Sequence, residues 1–412
     1  MKTGLIFFIS LMLGVTQLTA QHCATFPYQQ EQLKNNTVLA EKIRDIELFT
    51  KQQLANTTAR TEGTIIKIPV VVHILYHYPS EKISDAIVQS QIDVLNKCFR
   101  RSNADTVKTP AYFKPFAADC EIEFQLAISD PKKRATTGVV RKYTPITKWK
   151  MDDAMKFSAN MGDDAWDAKS YLNIWVCRLD KLAGYSSFPG SELSKDGIVL
   201  DFNAFGVTTN TAYGIGKTAV HEIGHWFGLK HLWGDENCGD DGVSDTPKQA
   251  SYTPGCPTAI RITCGNGPNG DMYMNYMDFT NDECTNMFTA GQKARMRTLF
   301  DPGGARYAML SSKGLNPPLI SEIPLPESDP QWLHPQLYPN PSGAVVNLDL
   351  VYDVRWLGKT IQIVNLQGQT VMLVTITSTK MQIDIKKLQP GTYFLAAKKD
   401  DGESMMMRFL KL

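Results

Sequence analysis

No two cysteines stand in a Cys-x-x-Cys pair anywhere in the chain, so a thiolate zinc knuckle or a dithiol redox motif has no footing. Neither sign of charge is in excess. The 43 Lys and Arg face 42 Asp and Glu, and a net charge of +1 supplies no broad basic field for nucleic acid. Beyond the first twenty residues no apolar run approaches the roughly 20 residues that a membrane span needs. Internal repeats are lacking. Histidine is scarce, with seven in 412 residues, so any local concentration of it carries information.

What is present reads as an exported chain of two or three globular units. Lys2, an apolar stretch from Gly4 to Val15, and Gln17-Leu18-Thr19-Ala20 form a signal peptide over residues 1–20. A lipid anchor on Cys23 is the rival reading, but Gln21 and His22 stand where small residues would be expected. Export makes disulfides the natural use of the eight cysteines. Cys238, Cys256, Cys264 and Cys284 cluster, whereas Cys23, Cys98, Cys120 and Cys177 are scattered. Cys177 lies in an apolar strand pattern and is expected as a buried thiol.

Residues 21–60 are polar, with one weak amphipathic stretch near Leu33 to Phe49, and fit a propeptide. The β-branched run Ile65 to Val72 predicts a buried strand, and Ser84 to Phe99 an amphipathic helix. Glu121 to Ile128, Tyr171 to Leu179 and Gly197 to Leu200 read as further strands, so strands and helices are expected to alternate to about residue 230. Residues 234–285 are rich in Gly, Asp, Asn, Pro and Cys and show little periodicity. A loop of this length is functional or cross-linked. Pro317, Pro318, Pro324, Pro326, Pro330 and Pro335 mark a stiff linker over residues 315–336. Beyond it, short runs at Val345 to Val351, Ile361 to Val364, Val371 to Ile376, Met381 to Ile385 and Thr392 to Ala397, parted by turn residues, predict a small β-sandwich over 337–412. Residues 61–314 remain as the catalytic unit.

The decisive segment is His221-Glu222-Ile223-Gly224-His225-Trp226-Phe227-Gly228-Leu229-Lys230-His231, which holds three of the seven histidines. Residues four apart share a helical face, so His221 and His225 can aim two imidazoles at one metal. Gly228 can take a positive φ, end the helix, and bring His231 back as a third ligand. Three neutral imidazoles leave the fourth tetrahedral position of a zinc ion open, the arrangement of a catalytic site. Glu222 stands beside them as the base that takes the proton of an attacking water. A zinc held for structure alone would not need it. The extended motif, with a methionine turn further on, is the metzincin signature.

Over Ile68 to Met296 the chain resembles the pappalysin family of metzincins. The likeness rests on Gln89-Ser90-Gln91-Ile92-Asp93-Val94-Leu95-Asn96, Gly184-Tyr185-Ser186-Ser187-Phe188-Pro189-Gly190, the histidine motif and Asn275-Tyr276-Met277-Asp278-Phe279. It implies an α/β (α+β) catalytic domain with a mixed twisted sheet and an active-site helix. Met277 matches the methionine beneath the zinc. Phe279 stands where the family has a tyrosine, and so brings no hydroxyl; Tyr276 and Tyr273 are its neighbours. The family implies disulfides Cys238–Cys264 and Cys256–Cys284, and a structural calcium ion near Asp240, Asp241, Val243 and Asp245. Asp282 best matches an aspartate in the pocket for the side chain after the scissile bond, with Glu283 as the alternative. A carboxylate there implies cleavage before Arg or Lys. Cys23 would occupy the zinc in a latent zymogen, as the cysteine switch of relatives does, and the activating cut would fall near Ala59-Arg60-Thr61, or less favourably at Arg44.

The C-terminal segment resembles the sorting domains of the type IX secretion pathway, through Leu337-Tyr338-Pro339-Asn340-Pro341, the turn from Asn365 to Gly368, Leu388-Gln389-Pro390-Gly391-Thr392-Tyr393-Phe394 and Arg408-Phe409-Leu410-Lys411-Leu412. The sequence thus implies a secreted or surface zinc endopeptidase. Its expected partners are protein or peptide substrates and the secretion machinery, with no nucleic acid and no membrane span.

Overall fold

The computed structural model describes residues 21–412 apart from 35, 57–62, 209–212, 324–333, 352 and 400–403. The expected signal peptide and the cut near Ala59-Arg60-Thr61 lie outside the described residues.

A seven-stranded sheet forms the frame. Its centre is β2 (Ile66–Tyr76), buried at every residue but Lys67. A strand covered on both faces needs a continuous apolar run rather than alternation, which is what Ile68 and Val70 to Val72 provide. On one side β2 pairs in parallel with β5 (Leu172–Cys177), in the register Val70 to Leu172. On the other side it takes two strands in succession: β3 (Ile122–Leu126) beside its first half and β4 (Val139–Tyr143) beside its second. β5 continues to β7 (Ile198–Asp201), and β7 pairs antiparallel with β6 (Leu182–Ser186), so the sheet is mixed. The edge of β6 is occupied by β1 (Gln21–Cys23), running parallel, with Cys23 opposite Gly184.

Two helices pack on this sheet and on each other. α3 (Asp85–Phe99) begins at Ser84, whose side chain accepts from the Ile87 amide, and lies on β3. α4 (Lys217–Trp226) lies on β6 and β7 and is buried at all ten of its residues. From β2 to β7 only α3 interrupts the run of strands among the described residues, and 3₁₀ turns and loops make the other links; strict alternation of helix and strand does not occur. The expected amphipathic stretch is split into α1 (Thr25–Leu33) and α2 (Thr37–Ala55), the second opened by the Asn36 side chain accepting from Leu39 N at 3.0 Å. α2 is tied to α5 (Ala290–Thr298) by an ion pair of Glu47 with Arg295.

Between α4 and α5 the described residues form no helix or strand. Disulfides Cys238–Cys264 and Cys256–Cys284 close this stretch. Cys23, Cys98, Cys120 and Cys177 are free and buried. Behind α4 a buried network fixes its last turn. Asp196 accepts from Trp226 Nε1 and from Ser187 Oγ, each at 2.9 Å, and pairs with Arg306, whose guanidinium lies 3.7 Å over the Trp226 ring.

The C-terminal unit is two antiparallel sheets on one core, the expected sandwich. β8 (Gln336–Tyr338) and β9 (Val345–Asp349) form one sheet with β12 (Lys380–Asp384). β10 (Thr360–Asn365), β11 (Thr370–Thr375), β13 (Gly391–Lys398) and β14 (Ser404–Lys411) form the other. Val346, Leu348, Ile361, Ile363, Leu395 and Phe409 meet between them. Among the described residues no helix is long and apolar enough to cross a membrane.

Arg306 and Asp196 form a buried pair, so Arg306→Met strands a buried carboxylate and should cost about 3–5 kcal/mol. The measurement is the urea midpoint at unchanged slope. A shift worth less than about 1 kcal/mol would show the pair to be dispensable.

Candidate metal centre and active site

α4 and the turn after it carry the histidines to one point. Gly228 takes φ +82°, and Gly228 N donates to His225 O at 2.7 Å while Leu229 N donates to Gly224 O at 3.0 Å. This is a glycine helix stop, and it swings His231 back over the helix. The Nε2 atoms of His221, His225 and His231 then lie 3.0, 3.1 and 3.3 Å from one another.

Each ring is held from its other nitrogen. His221 Nδ1 meets Tyr276 O at 2.6 Å, His225 Nδ1 meets Leu229 O at 2.8 Å, and His231 Nδ1 meets the Asp235 carboxylate. All three partners accept, so each Nδ1 carries the hydrogen and each Nε2 presents a lone pair. Burial, and then the nearness of the His231 and His221 imidazoles, hold His225 well below the usual histidine range and keep it neutral. Three lone pairs facing one another repel unless a cation lies among them. Ligands about 2.0–2.1 Å from a tetrahedral zinc stand ~3.3 Å apart, close to the observed separations. The donor set therefore fits zinc. Among the described residues Cys23 Sγ joins the same cluster, with all four ligand atoms within 4.8 Å of one another.

Glu222 is fully buried next to this cluster. Burial pushes its carboxyl up to about 7, against hydrogen bonds from Thr25 and Cys23 that pull it down. Thr25 Oγ1 donates to Glu222 Oε2 at 2.7 Å and accepts from Ser186 N at 2.8 Å, so it bridges β6 to the glutamate. Burial, and then the Glu222 charge, raise the Cys23 thiol well above its ordinary value.

Met277 is buried against α4. A Cβ at Gly224 would stand 2.4 Å from Met277 Sδ, so the glycine of the helix motif leaves the space that the methionine some fifty residues on now fills. Phe279 lies against the imidazoles, with ring centroids 4.7 Å from His231 and 5.4 Å from His221. Trp233 stacks on the outer face of His231 at 4.4 Å. Tyr276 serves through its carbonyl. Its ring is buried against Phe288.

Beside the cluster is a pocket whose lining includes Ala183, Tyr213, Lys217, Phe279 and Asp282. Asp282 is buried, whereas Glu283 is exposed and outside the lining. Asp282 Oδ2 accepts from the backbone amides of Ile215 and Lys217 at 3.1 and 3.2 Å. Burial pushes this carboxyl up to about 6, against those two amides and the Lys217 charge.

Several carboxylates that follow the histidine motif are hydrogen-bonded within the protein. Asp235 holds His231. Asp245 accepts from Thr289 Oγ1 at 2.6 Å and from Gly291 N at 2.8 Å, capping α5. Asp240 accepts from Gly242 N, and Asp241 from Val243 N and Thr246 Oγ1. Asp240, Asp241 and Asp245 do not appear in any three-residue acid, cysteine or histidine cluster among the described residues. Nothing in local spacing marks Thr25 or Lys217, and the sequence places Asp235 only in an oxygen-rich stretch, not as the partner of His231.

The family of the pregnancy-associated plasma protein-A matches residues 156–301, and the secretion system C-terminal sorting domain matches residues 336–411. An extracellular metalloprotease of Neurospora crassa is 30% identical over 305 residues, which covers 70% of this chain and 90% of the fungal protein. Mature mirolysin of Tannerella forsythia, solved with a cleaved peptide, is 45% identical at a TM-score of 0.59, covering 60% of this chain and 96% of that one. A promirolysin variant of the same organism is 40% identical at a TM-score of 0.65, covering 71% of this chain and 97% of that one. The chain is a secreted zinc metalloendopeptidase that belongs to the pregnancy-associated plasma protein-A, or pappalysin, family of metzincins and carries a type IX secretion sorting domain.

Proposed function

We propose that the chain is made as a latent zymogen and, once processed, cuts extracellular proteins before Arg or Lys. The observation that carries this reading is the convergence of three imidazole Nε2 atoms beside a buried glutamate. His221, His225 and His231 would hold the zinc. When bound, it would supply Lewis acidity toward the attacking water and the scissile carbonyl. Glu222 takes the proton of the attacking water and passes it to the leaving amine. Met277 is the apolar floor against Gly224. Phe279 packs the imidazoles and offers no hydroxyl. Asp282 spends Oδ2 on two amides, which leaves Oδ1 for a guanidinium or ammonium group after the scissile bond.

Latency rests on Cys23 as the fourth ligand, and three contacts support it. β1 covers the edge of β6, Cys23 Sγ joins the imidazole cluster, and Thr25 holds Glu222. The promirolysin match also reaches over more of this chain than the mature mirolysin match does, 71% against 60%. In this reading residues 1–20 are the signal peptide, 21–60 the propeptide, 61–314 the catalytic domain, 315–336 the linker and 337–412 the sorting domain, whose partner is the type IX machinery. The activating cut falls near Ala59-Arg60-Thr61, since Arg44 lies within α2. Calcium at Asp240, Asp241, the Val243 carbonyl and Asp245 rests on family resemblance alone.

Digestion of a whole proteome by the activated enzyme, with new N-termini read by mass spectrometry, should show chelator-sensitive cuts before Arg and Lys. The Glu222→Ala protein should be silent. Cuts without that preference would remove Asp282 from the pocket role, and no cuts at all would sink the reading. Cys23→Ser and Thr25→Val should each raise the activity of the unprocessed chain, and the double variant most; a double variant as silent as wild type would exclude latency through these residues. Asp235→Ala should weaken zinc binding roughly 10–100-fold in a chelator competition. An unchanged affinity would mean that His231 needs no such support.

A further inference from the structure

The pocket that holds Asp282 also holds a cation. Lys217, the first residue of α4, contributes to its wall and is buried. Its Nζ donates to Asp282 O at 2.6 Å and to Thr285 O, and it faces the Tyr276 ring at 6.0 Å. Lys217 therefore holds Asp282 twice, from its own backbone amide and from its side chain. This anchors the turn that bears the carboxylate, but it also sets a positive charge beside the place where a cationic side chain would bind. Left alone, that charge would offset Asp282 and repel Arg or Lys, because buried charges a few ångströms apart are weakly screened.

A third charge answers it. Asp105, on the 3₁₀ turn Ala104–Lys108, forms an ion pair with Lys217 Nζ. It does not line the pocket. Asn103 Nδ2 donates to its Oδ1 at 2.5 Å and to Asn286 O at 3.3 Å, so the carboxylate is held in place. With Asp105 present the three groups sum to one negative charge; without it they sum to none.

We infer that Asp105 is a specificity-setting residue that acts through Lys217, cancelling the lysine's charge so that Asp282 confronts the substrate as an uncompensated anion. The inference rests on the assignment of Asp282 to the pocket after the scissile bond. It extends that assignment to Lys217 in the pocket wall and to Asp105 outside it.

The test uses the full chain, zinc-loaded and activated by proteolysis, on matched peptides with Arg or its neutral isostere citrulline after the scissile bond. The readout is the ratio of the two kcat/KM values within each variant. Asp105→Asn should lower that ratio about tenfold. Lys217→Gln keeps a donor for the carbonyls and removes the charge, and should raise it. The double variant should return to the wild-type ratio. A mere packing role would lower the ratio in all three variants, and that result overturns the inference, as does an Asp105→Asn ratio within twofold of wild type. If Asp105→Asn does not fold, Lys217→Gln decides alone, since a fall in its ratio is incompatible with the inference. A wild-type enzyme with no preference for Arg over citrulline would instead fail the Asp282 assignment.

Discussion

Three imidazole lone pairs aimed at one point repel each other, and much of the surrounding structure serves to hold them there until a cation is bound. The acceptors that orient the rings come from three places: the carbonyl of Leu229 in the turn itself, the carboxylate of Asp235 just beyond it, and the carbonyl of Tyr276 from the methionine turn. The methionine turn is in turn fixed from below. Asn275 accepts from the Met277 amide at 2.9 Å and exchanges two side-chain hydrogen bonds with Gln292 of α5. Because α4 is buried throughout, movement of any of these supports would be transmitted to the imidazoles.

The N-terminal segment engages the same centre with few fully buried side chains from its helices. α1 buries only Thr25 and Tyr28, and α2 only Leu39 and Thr50. Burial of so few side chains gives a weak hydrophobic hold. What it has instead is polar and specific: Tyr28 Oη donates to Asp153 at 2.8 Å, Glu47 pairs with Arg295, and Thr25 reaches Glu222. Contacts of this kind position a segment without welding it in place, which suits one that the proposed activation removes.

Much of the site was legible because its signals are local. The spacing of His221, Glu222 and His225 follows from the helical repeat, and Gly228 marks the stop that returns His231. The buried run of β2 and the strands of the C-terminal sandwich could be read from β-branched composition and turn residues. The amphipathic stretch near Leu33 to Phe49 was harder. Its weak periodicity hid the break at Asn36, and the alternation of helix and strand expected further on gave way to loops and 3₁₀ turns.

By itself, then, the amino-acid sequence determined the metal-binding helix, the presence of a base, the family and the C-terminal sandwich, because each is written in residues near one another in the chain. The tertiary structure alone decided the rest. It set Thr25 against Glu222 across 197 residues and Asp105 against Lys217 across 112. It turned Asp235 and Asp245 from an acidic loop into an imidazole support and a helix cap. It packed Met277 into the space left by Gly224. These are contacts between distant segments, and whether a carboxylate orients a histidine, caps a helix or neutralises a lysine depends on what the fold places beside it.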